Sequence, residues 1–150
     1  LLASLIADLE HLPPHVLRAF VRAKQPQRVI LVSDCVHLAG LKPGAYDLGG
    51  IPVELKPSGR ICLSGTEYLG GSSLMLLQGV VNAMRVTDLT LRQALACASS
   101  IPARLFGLKH PFRLPKPGTK ANFVAFTITK SHEKWKTNLK AVFIDGEQRA

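Results

Sequence analysis

The sequence predicts an α/β fold that gives way to a small β module near its C-terminus. Three observations carry this. Val29, Ile30, Leu31 and Val32 form an unbroken apolar run ending in Ser33 and Asp34, and a run without alternation marks a strand covered on both faces, as in parallel sheets. An earlier apolar stretch, residues 2–7, also ends in polar groups, Asp8-Leu9-Glu10-His11, and a segment with helical spacing separates the two. From residue 115 onward, short apolar runs alternate with proline and glycine turns.

Taken in order, residues 2–34 read β-α-β, for which parallel strands and a right-handed crossover are expected. Pro13-Pro14 suits the first turn of the helix. Val16, Leu17, Phe20 and Val21 then fall on one apolar stripe, with Arg18, Arg22 and Lys24 facing water and Gln25-Pro26 as the stop. The stretch after Asp34 is rich in breakers (Gly40, Pro43, Gly44, Gly49, Gly50, Pro52), and short strands fit residues 46–48, 53–55 and 60–63 around a turn at Pro57-Ser58-Gly59. Ser72 or Ser73 is the expected N-cap of a helix reaching Met84. Asp88 or Thr90 starts another, with Leu91, Leu95 and Ala98 inward and Pro102 breaking or restarting it before Gly107. Pro115 and Pro117-Gly118 form a turn. Strands are expected at 122–127 and 139–144, the latter closed by the hairpin signal Asp145-Gly146.

A chain of 150 residues that is 47% apolar and 19% charged has a globular composition with room for one core. It begins at Leu1 rather than Met, with regular structure already under way at residue 4, so it is expected to be part of a larger protein. No stretch approaches the ~20 apolar residues of a membrane span, and no basic n-region precedes an apolar h-region. Cys35, Cys62 and Cys97 form no CxxC pair, which argues against a zinc ribbon and fits a reducing cytosol. The net charge of +9 raises nucleic-acid binding. The basic residues are scattered, however, apart from Lys130, Lys134, Lys136 and Lys140, and aromatic residues are not interleaved with them. A solvated surface that attracts an anionic small substrate accounts for the charge.

Asp34 is the leading candidate for chemistry. The carboxyl ends of parallel strands are where α/β proteins bind ligands and do chemistry. The same pattern also fits an aspartate that caps the following turn or helix, and the residues alone leave both readings open.

Six ordered segments carry a resemblance that covers most of the chain, from about residue 3 to 147. They are Asp8-Leu9-Glu10-His11-Leu12, Leu31-Val32-Ser33-Asp34, Ala39-Gly40 through Leu48-Gly49-Gly50, Leu69-Gly70-Gly71-Ser72-Ser73-Leu74, Ala98-Ser99 through Pro102-Ala103-Arg104 with Gly107-Leu108, and Pro117-Gly118 through Ala121-Asn122-Phe123-Val124. In this order they resemble the C-terminal part of the N-acetylglucosamine-6-phosphate deacetylases of the amidohydrolase superfamily. The resemblance implies the last strands and helices of a distorted TIM barrel over residues 1–114, with a β-hairpin insert at about 46–63, and strands of a small β-sandwich over 115–150.

It also implies roles. Asp34 matches the catalytic aspartate, which takes a proton from metal-activated water and delivers it to the departing amine. His11 matches a histidine that contacts the sugar-phosphate substrate, and Leu69 an apolar residue beside the acetyl group. Leu9 departs from the glycine usual at its position and is expected to crowd the loop that carries His11. Asp8 is expected to orient that loop. Gly70, Gly71 and Ser72 precede a helix and are weak candidates to offer N–H groups to an anion. A divalent metal of Zn, Fe, Mn or Co type is implied, its ligands on earlier segments and Asp34 the one residue here that it would reach. His132-Glu133 lacks ligand spacing. His15, His37 and His110 are read as non-catalytic, and Cys35 lacks a neighbouring base.

The expected activity is hydrolysis of N-acetylglucosamine-6-phosphate to glucosamine-6-phosphate and acetate, in amino-sugar catabolism. The expected setting is a cytoplasmic homo-oligomer with a small phosphorylated amino sugar as partner, and no nucleic acid or membrane. Two rival readings are an amidohydrolase for another amide or cyclic amide, and a non-catalytic barrel remnant. Residues 1–150 alone are expected to be inactive, because a partial barrel exposes strand edges.

Overall fold

The computed structural model describes residues 1–108, 117–118, 120–131 and 134–150. The readings of His110, of Pro115 and of His132-Glu133 lie outside them. Two parallel strands, β1 (Ala3–Ile6) and β2 (Val29–Val32), pair in register Ala3 with Val29 through Ile6 with Val32. Helix α1 (Pro14–Lys24) connects them, followed by a 3-10 turn at Pro26–Arg28. The β-α-β reading therefore holds. The helix buries only Leu17 and Val21, while Phe20 is exposed. The inward stripe is narrower than the spacing suggested because the described elements meet α1 along one edge.

Next comes a three-stranded antiparallel sheet: β3 (Gly44–Asp47), β4 (Pro52–Leu55) and β5 (Ile61–Leu63), in that spatial order. It has a small core of its own, made of Leu38, Val53, Leu55 and Ile61. The alternation in β4, with Val53 and Leu55 buried and Pro52 and Glu54 exposed, is that of a half-covered sheet.

Helix α2 (Leu76–Val86) begins later than expected, and its N-cap position is Met75, with no side-chain cap. The N-cap reading of Ser72 and Ser73 is thereby corrected. The Ser72 hydroxyl accepts from the Leu74 amide at 3.1 Å, and the Ser73 hydroxyl donates to the Gly59 carbonyl at 2.5 Å. Both hydroxyls bind loop backbone and neither reaches the helix. Helix α3 (Leu91–Ala98) does start at Thr90, whose side chain and Gln93 form a reciprocal capping box. Its buried face is Ala94 and Cys97, while Leu91 is exposed and Leu95 and Ala98 are only partly buried. Leu91, Ala94, Leu95 and Ala98 share one helical stripe, and packing buries it along its Ala94 edge, together with Cys97. Helix α4 (Ser100–Leu105) restarts after Ser99, three residues ahead of Pro102, whose missing N–H cannot continue the α3 ladder.

The main core joins these elements: Leu5, Leu17, Leu31, Val80, Ala94, Cys97 and Ile101 lie in one buried cluster. The C-terminal region is an antiparallel ribbon of β6 (Phe123–Ser131) and β7 (Lys134–Ile144), with a short β8 (Glu147–Gln148). Asp145 and Gly146 both take positive φ at the β7–β8 turn, as the hairpin signal requires. The ribbon is longer than expected on both strands and has an irregularity at Ala125/Phe126.

Candidate active site

The two parallel strands end side by side and each delivers a carboxylate. Asp8 lies two residues past Ile6 and Asp34 two residues past Val32, the last pair of the ladder. The site is built from these strand ends and the loop between Asp8 and His11.

Asp8 organises that loop. Its Oδ1 accepts from the amides of Glu10, at 3.0 Å, and His11, at 2.9 Å, and its Oδ2 accepts from His11 Nδ1 at 2.7 Å. Burial pushes this carboxyl up, but the hydrogen bonds from the His11 amide, the His11 ring and the Glu10 amide outweigh it and hold Asp8 below the ordinary aspartate range. A carboxylate only accepts, so Nδ1 carries the ring proton that it donates. Nε2 is left as the working atom of His11.

That atom faces Asp34. The Nε2 to Asp34 Oδ2 separation is 3.6 Å, within ion-pair reach but longer than a hydrogen bond. Asp34 is the more open of the two, with its side chain 47% exposed against 22% for His11. Among the described residues no backbone N–H donates to the Asp34 carboxylate, so the reading as a cap does not hold here. The Asp34 backbone, by contrast, is pinned. It takes a left-handed conformation, φ 53°, one that aspartate tolerates better than most residues. Its carbonyl accepts from the Ser72 amide at 2.9 Å, and the Ser72 carbonyl accepts from the Val36 amide at 3.0 Å. Cys35 and Ser72 form an isolated parallel bridge. A Cβ on Gly71, itself at φ +112°, would lie 2.7 Å from Val36 Cγ1 and 3.8 Å from Asp34 Oδ2, so only glycine fits there.

This clamp corrects the reading of Gly70 and Ser72 as anion donors. The Gly70 amide is spent on the Ile61 carbonyl and the Ser72 amide on Asp34. Leu9 takes φ 71°, the glycine-like conformation, and its side chain packs against the main core. The expected crowding is thus absent, and His11 keeps both of its bonds to Asp8. The β3–β5 sheet region also touches this loop, for Arg60 Nε lies 3.6 Å from Glu10 Oε2.

Leu69 lies on the segment that leads into the clamp. It bridges Cys62, is half-buried and belongs to neither apolar cluster. A Cβ on Gly70 would point at Val53, Leu63 and Ile61, so Leu69 is turned to the opposite side of that segment. It joins the site through the chain, two residues before Gly71. His15 and His37 are exposed and take no part. The three thiols are free. Sequence reasoning missed the clamp at Ser72, because a serine ahead of a helix reads as a cap. It also missed Asn82, a buried amide among the apolar residues of α2.

The described residues do not by themselves form a metal centre. Among the described residues no group of three His, Cys, Asp or Glu side chains converges to hold an ion. His11 spends Nδ1 on Asp8, and Asp34 offers one carboxylate.

With that geometry in place, similarity to known proteins defines the class. The Amidohydrolase family model matches residues 12–149, and the chain belongs to that family. It is 31% identical over 140 residues to an N-acetylglucosamine-6-phosphate deacetylase of Vibrio furnissii, covering 93% of this chain and 34% of that protein. It is 31% identical over 122 residues to a putative N-acetylgalactosamine-6-phosphate deacetylase of Escherichia coli K12, covering 81% of this chain and 71% of that one. The crystal structure of the N-acetylglucosamine-6-phosphate deacetylase from Pasteurella multocida superimposes with a TM-score of 0.81 at 23% identity, over 100% of this chain and 37% of that one. The chain thus spans about a third of the Vibrio relative and of the Pasteurella structure.

Proposed function

We propose that this chain is the C-terminal portion of a metal-dependent deacetylase that hydrolyses N-acetylglucosamine-6-phosphate to glucosamine-6-phosphate and acetate. The observation that carries it is the pair of strand ends, in an amidohydrolase, that set His11 between the carboxylates of Asp8 and Asp34. The parallel β1–β2 pair with its helices is then the last part of a TIM barrel, with the β3–β5 sheet inserted. The β6–β8 ribbon supplies strands of the β-sandwich.

In this reading Asp34 moves the proton. As the water oxygen attacks the acetyl carbon, the carboxylate takes the water's proton. As the C–N bond breaks, the same proton goes to the amine nitrogen, leaving acetate and a free amine. Its exposed carboxylate and fixed backbone suit a group that must meet two partners in turn. His11 Nε2 binds a substrate oxygen beside it, and Asp8 keeps the ring in one tautomer and orientation. Leu69 is assigned to the acetyl methyl, a contact that gives discrimination of about 1–3 kcal/mol.

Metal dependence is general in this family, and a divalent ion of Zn, Fe, Mn or Co type would supply electrophilic assistance when bound. Its ligands are assigned mainly to residues other than those described, with Asp34 the one described residue that it would reach. The protein would work in the cytoplasm as a homo-oligomer. No helix among the described residues is long and apolar enough to cross a membrane. A second reading, N-acetylgalactosamine-6-phosphate as substrate, is favoured by the Escherichia coli relative. Acetate release from both sugar phosphates by the metal-replete full-length protein separates the two. Asp34→Asn should abolish release, and a fully active variant would sink the assignment.

A further inference from the structure

Among the described residues Asn82 is one of two buried polar side chains, with Ser72, and the only one of the two in a helix. Its neighbours in α2, Val81 and Ala83, are both fully buried. An amide placed there is costly unless its donors and acceptor find partners. Its Nδ2 donates to the Ala7 carbonyl at 3.0 Å, a link across 75 positions of the chain. Its Oδ1 accepts from Gln78 Nε2 at 3.3 Å, one turn earlier on the helix. Gln78 in turn meets β7 along its edge. Its Nε2 donates to the Trp135 carbonyl, and its Oε1 accepts from the Thr137 amide and hydroxyl, each at 3.2 Å. One side-chain amide thus does for β7 what a neighbouring strand would do.

The Ala7 carbonyl sits immediately before Asp8, whose carboxylate holds the Glu10 and His11 amides and the His11 ring. Where that carbonyl lies decides where the Asp8–His11 turn begins, and so how far His11 Nε2 stands from Asp34. We propose that Asn82 is a positioning residue for His11, acting through the Ala7 carbonyl, and that Gln78 ties the seating of β7 to the same arrangement. This rests on the reading of His11 as a substrate-binding side chain.

The test uses the full-length, metal-replete protein with Asn82→Leu, which keeps volume but removes the donor. Two measurements are made: amide hydrogen exchange, and KM and kcat for N-acetylglucosamine-6-phosphate. Exchange across residues 9–11 should quicken about tenfold while helix α3 is unchanged. KM should rise about tenfold, with kcat falling by less than about threefold. Unchanged exchange at residues 9–11, or equal quickening everywhere, overturns the proposal. If Asn82→Leu does not accumulate, Asn82→Asp carries the same expectation. Gln78→Leu should quicken exchange at both 9–11 and 135–138, and an effect confined to 135–138 removes Gln78 from the arrangement. A wild-type protein that releases no acetate would sink the functional reading, and the exchange data would still decide the positioning.

Discussion

The α/β region and the C-terminal ribbon are ordered by different means. Around β1 and β2, Leu17, Leu31, Val29, Val80 and Cys97 are almost wholly removed from water, and helices close over them. The ribbon contributes nothing to either apolar cluster. Phe123, Val124, Leu139 and Ile144 are all exposed, although the backbone pairing between β6 and β7 is the longest in the described chain. A ladder of hydrogen bonds, one stacked pair (Phe123 and Phe143, centroids 4.6 Å apart) and the Gln78 contacts hold it. Regular pairing therefore does not require burial, whereas the precise placement of two strand ends does. The candidate site lies at the ends of the two strands that this buried cluster holds.

Three predictions probe this contrast. The largest effect belongs to the core: Leu31→Ala should destabilise by about 2–5 kcal/mol, whereas Val124→Ala on the ribbon should change stability by about 0.5 kcal/mol or less. Urea unfolding of the two variants measures the difference, and equal costs would erase the distinction.

The next is a difference in acid sensitivity. Asp8 is held below its ordinary range by hydrogen bonds to its ionised form. Its contribution is thus present above the unfolded value, about 3.9, and is lost as pH falls through the lower folded value. The wild-type urea midpoint should accordingly drop more between pH 5 and 3 than that of Asp8→Asn. Parallel curves would show that Asp8 contributes no such term.

The smallest effect is expected at the surface. Arg22 and Asp88 pair at 2.8 Å with both side chains mostly exposed, a setting in which ion pairs contribute little. Asp88→Ala should leave the midpoint unchanged within measurement, and a clear loss would mean that the α1–α2 surface is less solvated than its exposure implies.

The sequence disclosed the parts whose pattern and packing agree. The Val29–Val32 run is a covered strand because it is apolar at every position, and Asp34 is conspicuous because it ends that run. His11 and Asp8 were legible only through the resemblance, since neither sits in a periodic segment. What stayed hidden depends on tertiary partners. The α3 face was displaced because Leu91, Ala94, Leu95 and Ala98 share one helical stripe, while contact with β2 and α4 buries the neighbouring edge, Ala94 and Cys97. The ribbon beyond Thr127 reads as polar because its Thr, Lys and Ser residues face solvent and its order comes from backbone pairing. Ser72 and Asn82 are ordinary residues whose importance comes from what lies opposite them, Asp34 and Ala7, far away in the sequence.

The bridge between Cys35 and Ser72 has a consequence for how such proteins change. The β3–β5 excursion leaves and re-enters the fold at one point, because Asp34, Val36 and Ser72 are joined backbone to backbone at its base. With its base closed and a small core of its own, the excursion can lengthen, shorten or change its tip while the strand end beneath it keeps its place. A change in the β3–β5 sheet is thereby uncoupled from the position of the Asp34 carboxylate.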